Sequence, residues 1–398
     1  MEQIPNHLFI RFPAVVTRKY ACDKSVVSLM RSRTLGNSPT ALCNSIRERH
    51  TEEWMSRSVA YLSDCERDKK GRQHLKLAAI DYAKPPEFNQ IPTAKWFLAV
   101  YTRDVWSRLP LLKACATSVY GNILKIDSTK KITRKLQGTA AKSASWCTNV
   151  GNERGEVLVS LMTTSESISN LQMMANGLMD RYEKANQLPP AVLYTDRDCC
   201  NSKGASKYER LFHKWTNIQI RIDSWHYMRR LAKACNNESH PLYGTLMAKV
   251  SAAVFEWDKS DVSLLYRAKR EELELAGVMN PTDDAVRKAI TKKELARHCR
   301  RQTRGEETTI KLLDDLINSF IGATDTLGVA LLKDDALAIW DVEKKHVSCL
   351  QDPEGLQLYT KIGQLTKGNI LLPVYRCGRG TTSLESYHHH AVNFIPGK

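Results

Sequence analysis

Three short apolar runs in this chain each end on an acid. Ile123-Leu124-Lys125-Ile126-Asp127 is the first, and the basic segment Lys130 to Lys135 follows it almost at once. Val192-Leu193-Tyr194-Thr195-Asp196 is the second, and Ile218-Gln219-Ile220-Arg221-Ile222-Asp223 the third. Apolar runs of this length read as buried strands. A buried strand that stops on Asp presents the acid at the carboxyl edge of a sheet, where open α/β sheets bind ligands. Between the first two runs the period is two: Trp146, Thr148 and Val150, a Gly-bounded turn at 151–155, then Val157, Val159 and Leu161. That alternation predicts an antiparallel pair. Ser165 reads as the N-cap of a helix with Ile168, Leu171, Met174, Leu178 and Tyr182 on one stripe. A helix of roughly Lys207 to Trp215 leads into the third acid run. The element order over 91–236 is therefore β-β-β-α-β-α-β, an α/β core carrying its first acids.

On either side the period is helical. Residues 1–90 predict a helical N-terminal region, with a segment from Ser25 to Arg33, a break at Gly36-Asn37-Ser38-Pro39, a second segment to His50 and a third from Glu52 to Asp64. Ser38 suits an N-cap and Pro39 the first helical turn. Helix, short Gly-containing turn and basic second helix match the outline of a helix-turn-helix, and equally that of a small packing bundle. Lys69-Lys70-Gly71-Arg72 and Lys84-Pro85-Pro86 mark a linker, and a helical stretch from Trp96 towards Tyr120 is interrupted near Pro110. From 237 to 370 strand signals nearly vanish, which predicts an all-helical insertion. Asn280-Pro281 with Asp283 and the capping box Thr291 to Glu294 mark helix starts there. A return to the core at 371–398 brings a Gly-rich loop, Thr and Ser caps, Glu385 in a first helical turn and the run His388-His389-His390. Neighbours on a helix point about 100° apart, so one imidazole of the three is expected to face inward.

Charge narrows the partner. The 398 residues carry a formal net charge of +16, which favours polyanions. There is no apolar run of spanning length and no signal-peptide core in MEQIPNHLFIRFP, so nucleic acid is expected over a membrane. Lys130, Lys131, Arg134 and Lys135 beside the first acid, and Arg300, Arg301 and Arg304 in the insertion, are the candidate phosphate contacts. The eleven cysteines form no CxxC, so no local zinc finger is readable and reduced thiols are expected. Cys199-Cys200 reads as a buried pair behind the strand end.

Three acid-ending strands suit divalent cations, since hard ions take oxygen ligands. Asp127 in ILKIDSTKK, Asp196 in VLYTDRDCC, Asp223 to His226 in IRIDSWHYMRRL and Glu385 in GTTSLESYHHH together resemble a DDE transposase core, similar to vertebrate transposon-derived proteins of the Mutator-like and hAT-like groups. The resemblance spans about 90–395. It implies an RNase H-like mixed sheet interrupted by a helical insertion ahead of the final Glu. It further implies that Asp127 and Asp196 bridge two Mg²⁺ or Mn²⁺ ions, that Glu385 completes one site, and that the protein cuts and joins DNA strands by two-metal phosphodiester chemistry. DNA as partner, a homodimer or higher oligomer and a nuclear location come with it. Asp198 competes with Asp196 for the second position; Asp223 reads as a helix cap or as an accessory ligand, and His226 as a neighbour of the acids. The family's helical sequence continues past the point where this chain stops at Lys398, so a truncated end is expected. A domesticated binding fragment without cleavage and an RNase H-like nuclease without transposition are the competing readings.

Overall fold

The computed structural model describes residues 12–31, 38–136, 138–201 and 204–394. Two compact units emerge, Met1–Cys115 and Ala116–Lys398.

The first unit opens on a small ribbon, β1 (Ala14–Val16) with β2 (Ala21–Asp23), followed by α1 (Lys24–Arg31), α2 (Pro39–His74) and α3 (Ala94–Thr117). Its core gathers Cys22, Val27, Met30, Cys43, Phe97 and Val100. Because Phe97 and Val100 belong to α3, the unit closes near residue 115 and not near 90. Ser38 caps α2 as its sequence predicts, accepting from the Ala41 N–H at 3.1 Å. The turn expected at Gly36 falls on 32–37, outside the described residues. No break separates the second and third predicted segments: α2 runs through His50, Thr51 and the Lys69–Arg72 stretch, because none of these residues interrupts the backbone ladder. The Thr51 hydroxyl bonds back to the Arg47 carbonyl at 2.8 Å. An extended stretch returns along α2, where the Trp54 indole donates to the Pro86 carbonyl and the Tyr61 hydroxyl to that of Ala83. α3 also continues through Pro110, whose missing N–H costs one helical bond.

The second unit is built on β3 (Ile123–Thr129), β4 (Trp146–Asn152), β5 (Val157–Thr163), α4 (Ile168–Lys184), β6 (Val192–Thr195), α5 (Lys207–Leu211), β7 (Gln219–Ile222) and α6 (Ser224–Leu231). The five strands form one mixed sheet in the order β5-β4-β3-β6-β7. β5, β4 and β3 pair antiparallel, whereas β3, β6 and β7 run parallel. β3 alternates across its two faces, as a pleated strand must. Leu124 and Ile126 enter the large core with Leu171, Leu178 and Tyr182 of α4, while Ile123 packs on the other face with Val192, Tyr194 and Leu358. α4 starts slightly later than expected, with Ser167 and not Ser165 as its cap.

The region predicted as all-helical is mixed. It contains α7 (Tyr243–Val254), β8 (Phe255–Trp257), α8 (Lys259–Leu275), α9 (Asp283–Ala289), α10 (Lys292–His298), β9 (Arg301–Thr303), α11 (Glu306–Phe320), α12 (Ala336–Lys344), α13 (Val347–Leu350) and β10 (Tyr359–Lys367), before β11 (Ile370–Cys377) and α14 (Thr382–Phe394). β8 pairs with β9, and β10 with β11, each as an antiparallel ribbon. The Gly368-Asn369 turn between Lys367 and Ile370 explains the second ribbon: Gly368 has φ +58°, which suits the first central position of a two-residue hairpin turn. The capping box at Thr291 and Glu294 is present as expected.

Candidate metal centre

The acids meet because of strand register. β3 and β6 pair Lys125 with Tyr194, and β6 and β7 pair Thr195 with Ile222. Carried on by one or two residues, the same registers set Asp196 beside Asp127 and Asp223 beside Asp196. On the other flank Asp127 pairs with Asn149 of β4. One polar row thus crosses four strands on the face that α14 covers. β3 does not stop at Asp127 but continues two residues, so this acid lies inside the strand and is buried.

α14 is held on the row from both ends. The Lys125 ammonium reaches the Ser383 hydroxyl at 3.2 Å, and the Lys135 ammonium donates to the Val392 carbonyl at 2.6 Å. The approach loop passes Asp223 closely. Gly380 has φ +74°, and a Cβ there would run into Asp223 Oδ1. The next residue, Thr381, donates its N–H to that same oxygen at 3.0 Å. Glu385 and His388 then stand three residues apart, on one face of the helix.

Donor atoms of Asp127, Glu385 and His388 all lie within 4.8 Å of one another. His388 Nδ1 sits 3.3 Å from Asp127 Oδ2, while its Nε2 lies 2.8 Å from Asn149 Nδ2. His388 is buried, and its Nδ1 is an orphan with no hydrogen-bond partner. A buried unpaired ring nitrogen beside two carboxylates fits a cation site. His388 is the inward-facing member of the triple; His389 and His390 are exposed. Its spacing from Glu385 was the signal in the sequence, whereas Asn149 gave none.

Asp223 and His226 flank this group. Asp223 caps α6, accepting from the His226 N–H at 3.0 Å, and its Oδ2 takes His226 Nδ1 at 2.9 Å. The helix-cap reading of Asp223 is therefore the observed one. The other nitrogen of His226 points to Glu385 Oε1 at 3.8 Å. Asp223, Trp225, His226, Thr381, Thr382 and Glu385 line a hollow of about 200 Å³.

Electrostatics separate these groups. Burial pushes the Asp196 carboxyl up from its ordinary 3.8, with Asp127 adding to the effect and Arg197 opposing it. For Asp223 burial works the same way, but the bonds from His226 and Thr381 outweigh it and hold the carboxyl low. Burial disfavours a charged His226, yet Asp223, Asp196 and Asp127 together raise it above 6.5.

Asp196 stands apart from the tight donor group: its Oδ2 is 3.7 Å from Arg197 Nε, and Arg197 also pairs with Glu166. Asp198 turns away in a left-handed conformation at φ +57° and faces Lys207 at 3.6 Å. It does not join the row.

The two basic groups differ. Lys130 lies over the Trp146 ring at 4.4 Å, and with Thr133, Arg134 and Lys142 it lines a groove of about 420 Å³ beside β3. Lys131 is exposed next to it. In the insertion the arginines have internal partners. Arg300 forks onto Asp261 at 2.7 and 3.0 Å, Arg304 pairs with Glu256 at 3.0 Å, and Arg301 lies 4.1 Å over Phe255. The arginines expected to contact phosphate there are tied within the fold, Arg300 to Asp261 at the start of α8, Arg304 to Glu256 of β8 and Arg301 to the Phe255 ring.

Residues 1–106 match the model of a domain of unknown function (DUF6729). No curated protein matches the chain. The matched residues end before the first acid of the site.

Proposed function

We propose that the second unit is a DDE-type, metal-dependent nuclease of transposase kind on an RNase H-like core. The observation that carries this reading is the convergence of Asp127, Glu385 and His388 on a sheet row that also holds Asp196. The strand order β5-β4-β3-β6-β7, with three antiparallel and then parallel members, supports the same reading.

Asp127, Glu385 and His388 would hold one divalent cation, and Asp127 with Asp196 a second. Imidazole beside carboxylates suits Mn²⁺ at least as well as Mg²⁺. Ions held there supply Lewis acidity to the attacking and leaving oxygens of a phosphodiester. The protein's own groups do the rest. Lys130, Arg134 and Lys142 bind phosphates along the groove, and Lys131 extends that surface. Asp223 orients His226, leaving Nε2 towards Glu385 for a proton. Asn149 fixes the His388 ring: its amide N–H donates to Nε2, so the ring proton sits on Nδ1 towards Asp127, and a cation held there would take that proton's place. DNA is the substrate in this reading, the protein acts as a homodimer or larger assembly, and the nucleus is its place of work. No helix among the described residues is long and apolar enough to cross a membrane.

A second reading, a fold that holds DNA without cutting it, draws on Asp196, whose carboxylate faces Arg197. Cleavage of labelled duplex, single-stranded DNA and RNA–DNA hybrid with Mg²⁺ or Mn²⁺ separates the two. The nuclease reading expects metal-dependent nicking that falls at least about 10²-fold in Asp127→Asn, the scale of losing one electrostatic partner. Unchanged, salt-sensitive binding without nicking in either protein would select the binding module. Cleavage confined to the hybrid would select a nuclease that does not transpose.

A further inference from the structure

Behind the second acid lies another cluster of a different chemical kind. Cys199 and Cys200 follow Asp196 in the loop after β6. His346 precedes α13 and Cys349 lies within it. One donor atom from each of the four falls within 4.8 Å of all the others. His346 Nδ1 lies 3.4 Å from Cys199 Sγ and 3.2 Å from Cys200 Sγ. We propose that Cys199, Cys200, His346 and Cys349 form a structural zinc site that clamps the loop carrying Asp196 to the far end of the insertion.

Geometry and chemistry agree on this ligand. A tetrahedral zinc with Zn–S near 2.3 Å and Zn–N near 2.0–2.1 Å has S···N edges of about 3.6 Å, close to the contacts from His346. Three sulfurs and one imidazole are soft donors that select zinc, whereas the oxygen-rich row beside β3 selects a hard cation. The two centres would therefore sort different metals. Ordinary core packing accounts poorly for the group. Cys199 and Cys349 are buried against the main core, yet Cys200 is exposed and still turns its sulfur to the same imidazole. Binding would release the thiol protons. Four protein donors close a tetrahedral site, with no position left for a substrate. The clamp spans 146 positions between Cys200 and His346. It begins three residues after Asp196, on the loop that must hold that acid in the row. This inference stands on its own donors and does not require the nuclease reading.

The test uses the full chain purified in the presence of zinc and passed over a weak chelator. Elemental analysis should find about one zinc per chain, and X-ray absorption at the zinc edge a shell of three sulfurs and one nitrogen. Cobalt exchange should give thiolate charge-transfer bands. Cys349→Ser and His346→Ala should lose the metal, while Cys235→Ser, a buried thiol outside the group, should keep it. Should those variants fail to fold, the intact protein still decides: strong chelator must unmask three further reactive thiols. No zinc and no thiolate–cobalt bands would overturn the proposal. So would an oxygen-and-nitrogen shell, equal zinc in a folded Cys349→Ser, or a disulfide among these cysteines.

Discussion

At the scale of single residues the candidate centre divides into groups placed to hold a cation and groups that aim them. His388 is of the first sort. Its replacement by Ala should lower Mn²⁺ affinity, read by calorimetry, by at least roughly 10–100-fold, the range that follows loss of even a supporting group around a metal. Asp196 would add a pH dependence to the second cation position. It must be ionised to bind a cation, and burial raises its pKa, so the acid limb of Mn²⁺ binding should lie above the ordinary carboxylate range around 3.8. The Asp223–His226 pair makes a separate statement about stability. The Asp223 pKa is lowered, so its contribution is present above 3.8 and lost as pH falls through the depressed value. The His226 pKa is raised, so its contribution is complete below 6.5 and lost as pH rises through the elevated value. Urea unfolding across pH should show the wild type's advantage over His226→Gln greatest between those two ordinary values. Asp127 and Glu385 were legible in the sequence because an apolar run and a Gly-Thr-Thr-Ser start each point to one residue. Asn149 was not, since its role exists only through the register of β4 on β3.

Among the elements, α14 carries most of the risk. It reaches the acid row only because the chain turns at Gly380 and hands the Thr381 N–H to Asp223. Asp223→Ala removes a helix cap and strands that buried N–H. A loss of about 2–4 kcal/mol by chemical denaturation is expected, and less for Asp223→Asn, whose single amide oxygen can still accept one of the two bonds. Gly380→Ala should displace α14 and weaken Mn²⁺ binding with no change to any donor. The core strands were readable because burial on both faces leaves continuous apolar runs. The β10–β11 ribbon escaped because seven of the nine β10 residues are exposed, so no apolar alternation marks it. α2 was read as two helices for the same reason: of its 36 residues only Cys43 is buried, and an almost wholly solvated helix carries no stripe to follow.

For the molecule as a whole the net charge of +16 is deployed in two ways. Around Lys130, Arg134 and Lys142 it faces a groove; around Arg300 and Arg304 it is neutralised by neighbouring acids. Substituting the first three by Ala should make the dependence of DNA affinity on log salt shallower, by about 0.9 for each phosphate that no longer meets a cation. Arg300→Ala should instead lower stability and leave that slope unchanged. Sequence composition pointed to a polyanion but had no means of telling the two basic groups apart, because the partners Asp261 and Glu256 become neighbours only on folding.

The bond between Lys125 and Ser383 spans 258 positions of chain. At ribosomal rates of about 5–20 residues per second, roughly 10–50 s separate synthesis of its two ends. During that interval β3 already exists, with Asp127 on it, while the helix bearing Glu385 and His388 has yet to be made. A nascent chain therefore holds every strand of the sheet once Ile222 is made, well before the helix that completes the candidate cation site. Any chemistry that needs all three of these side chains stays silent until translation has passed the last of them.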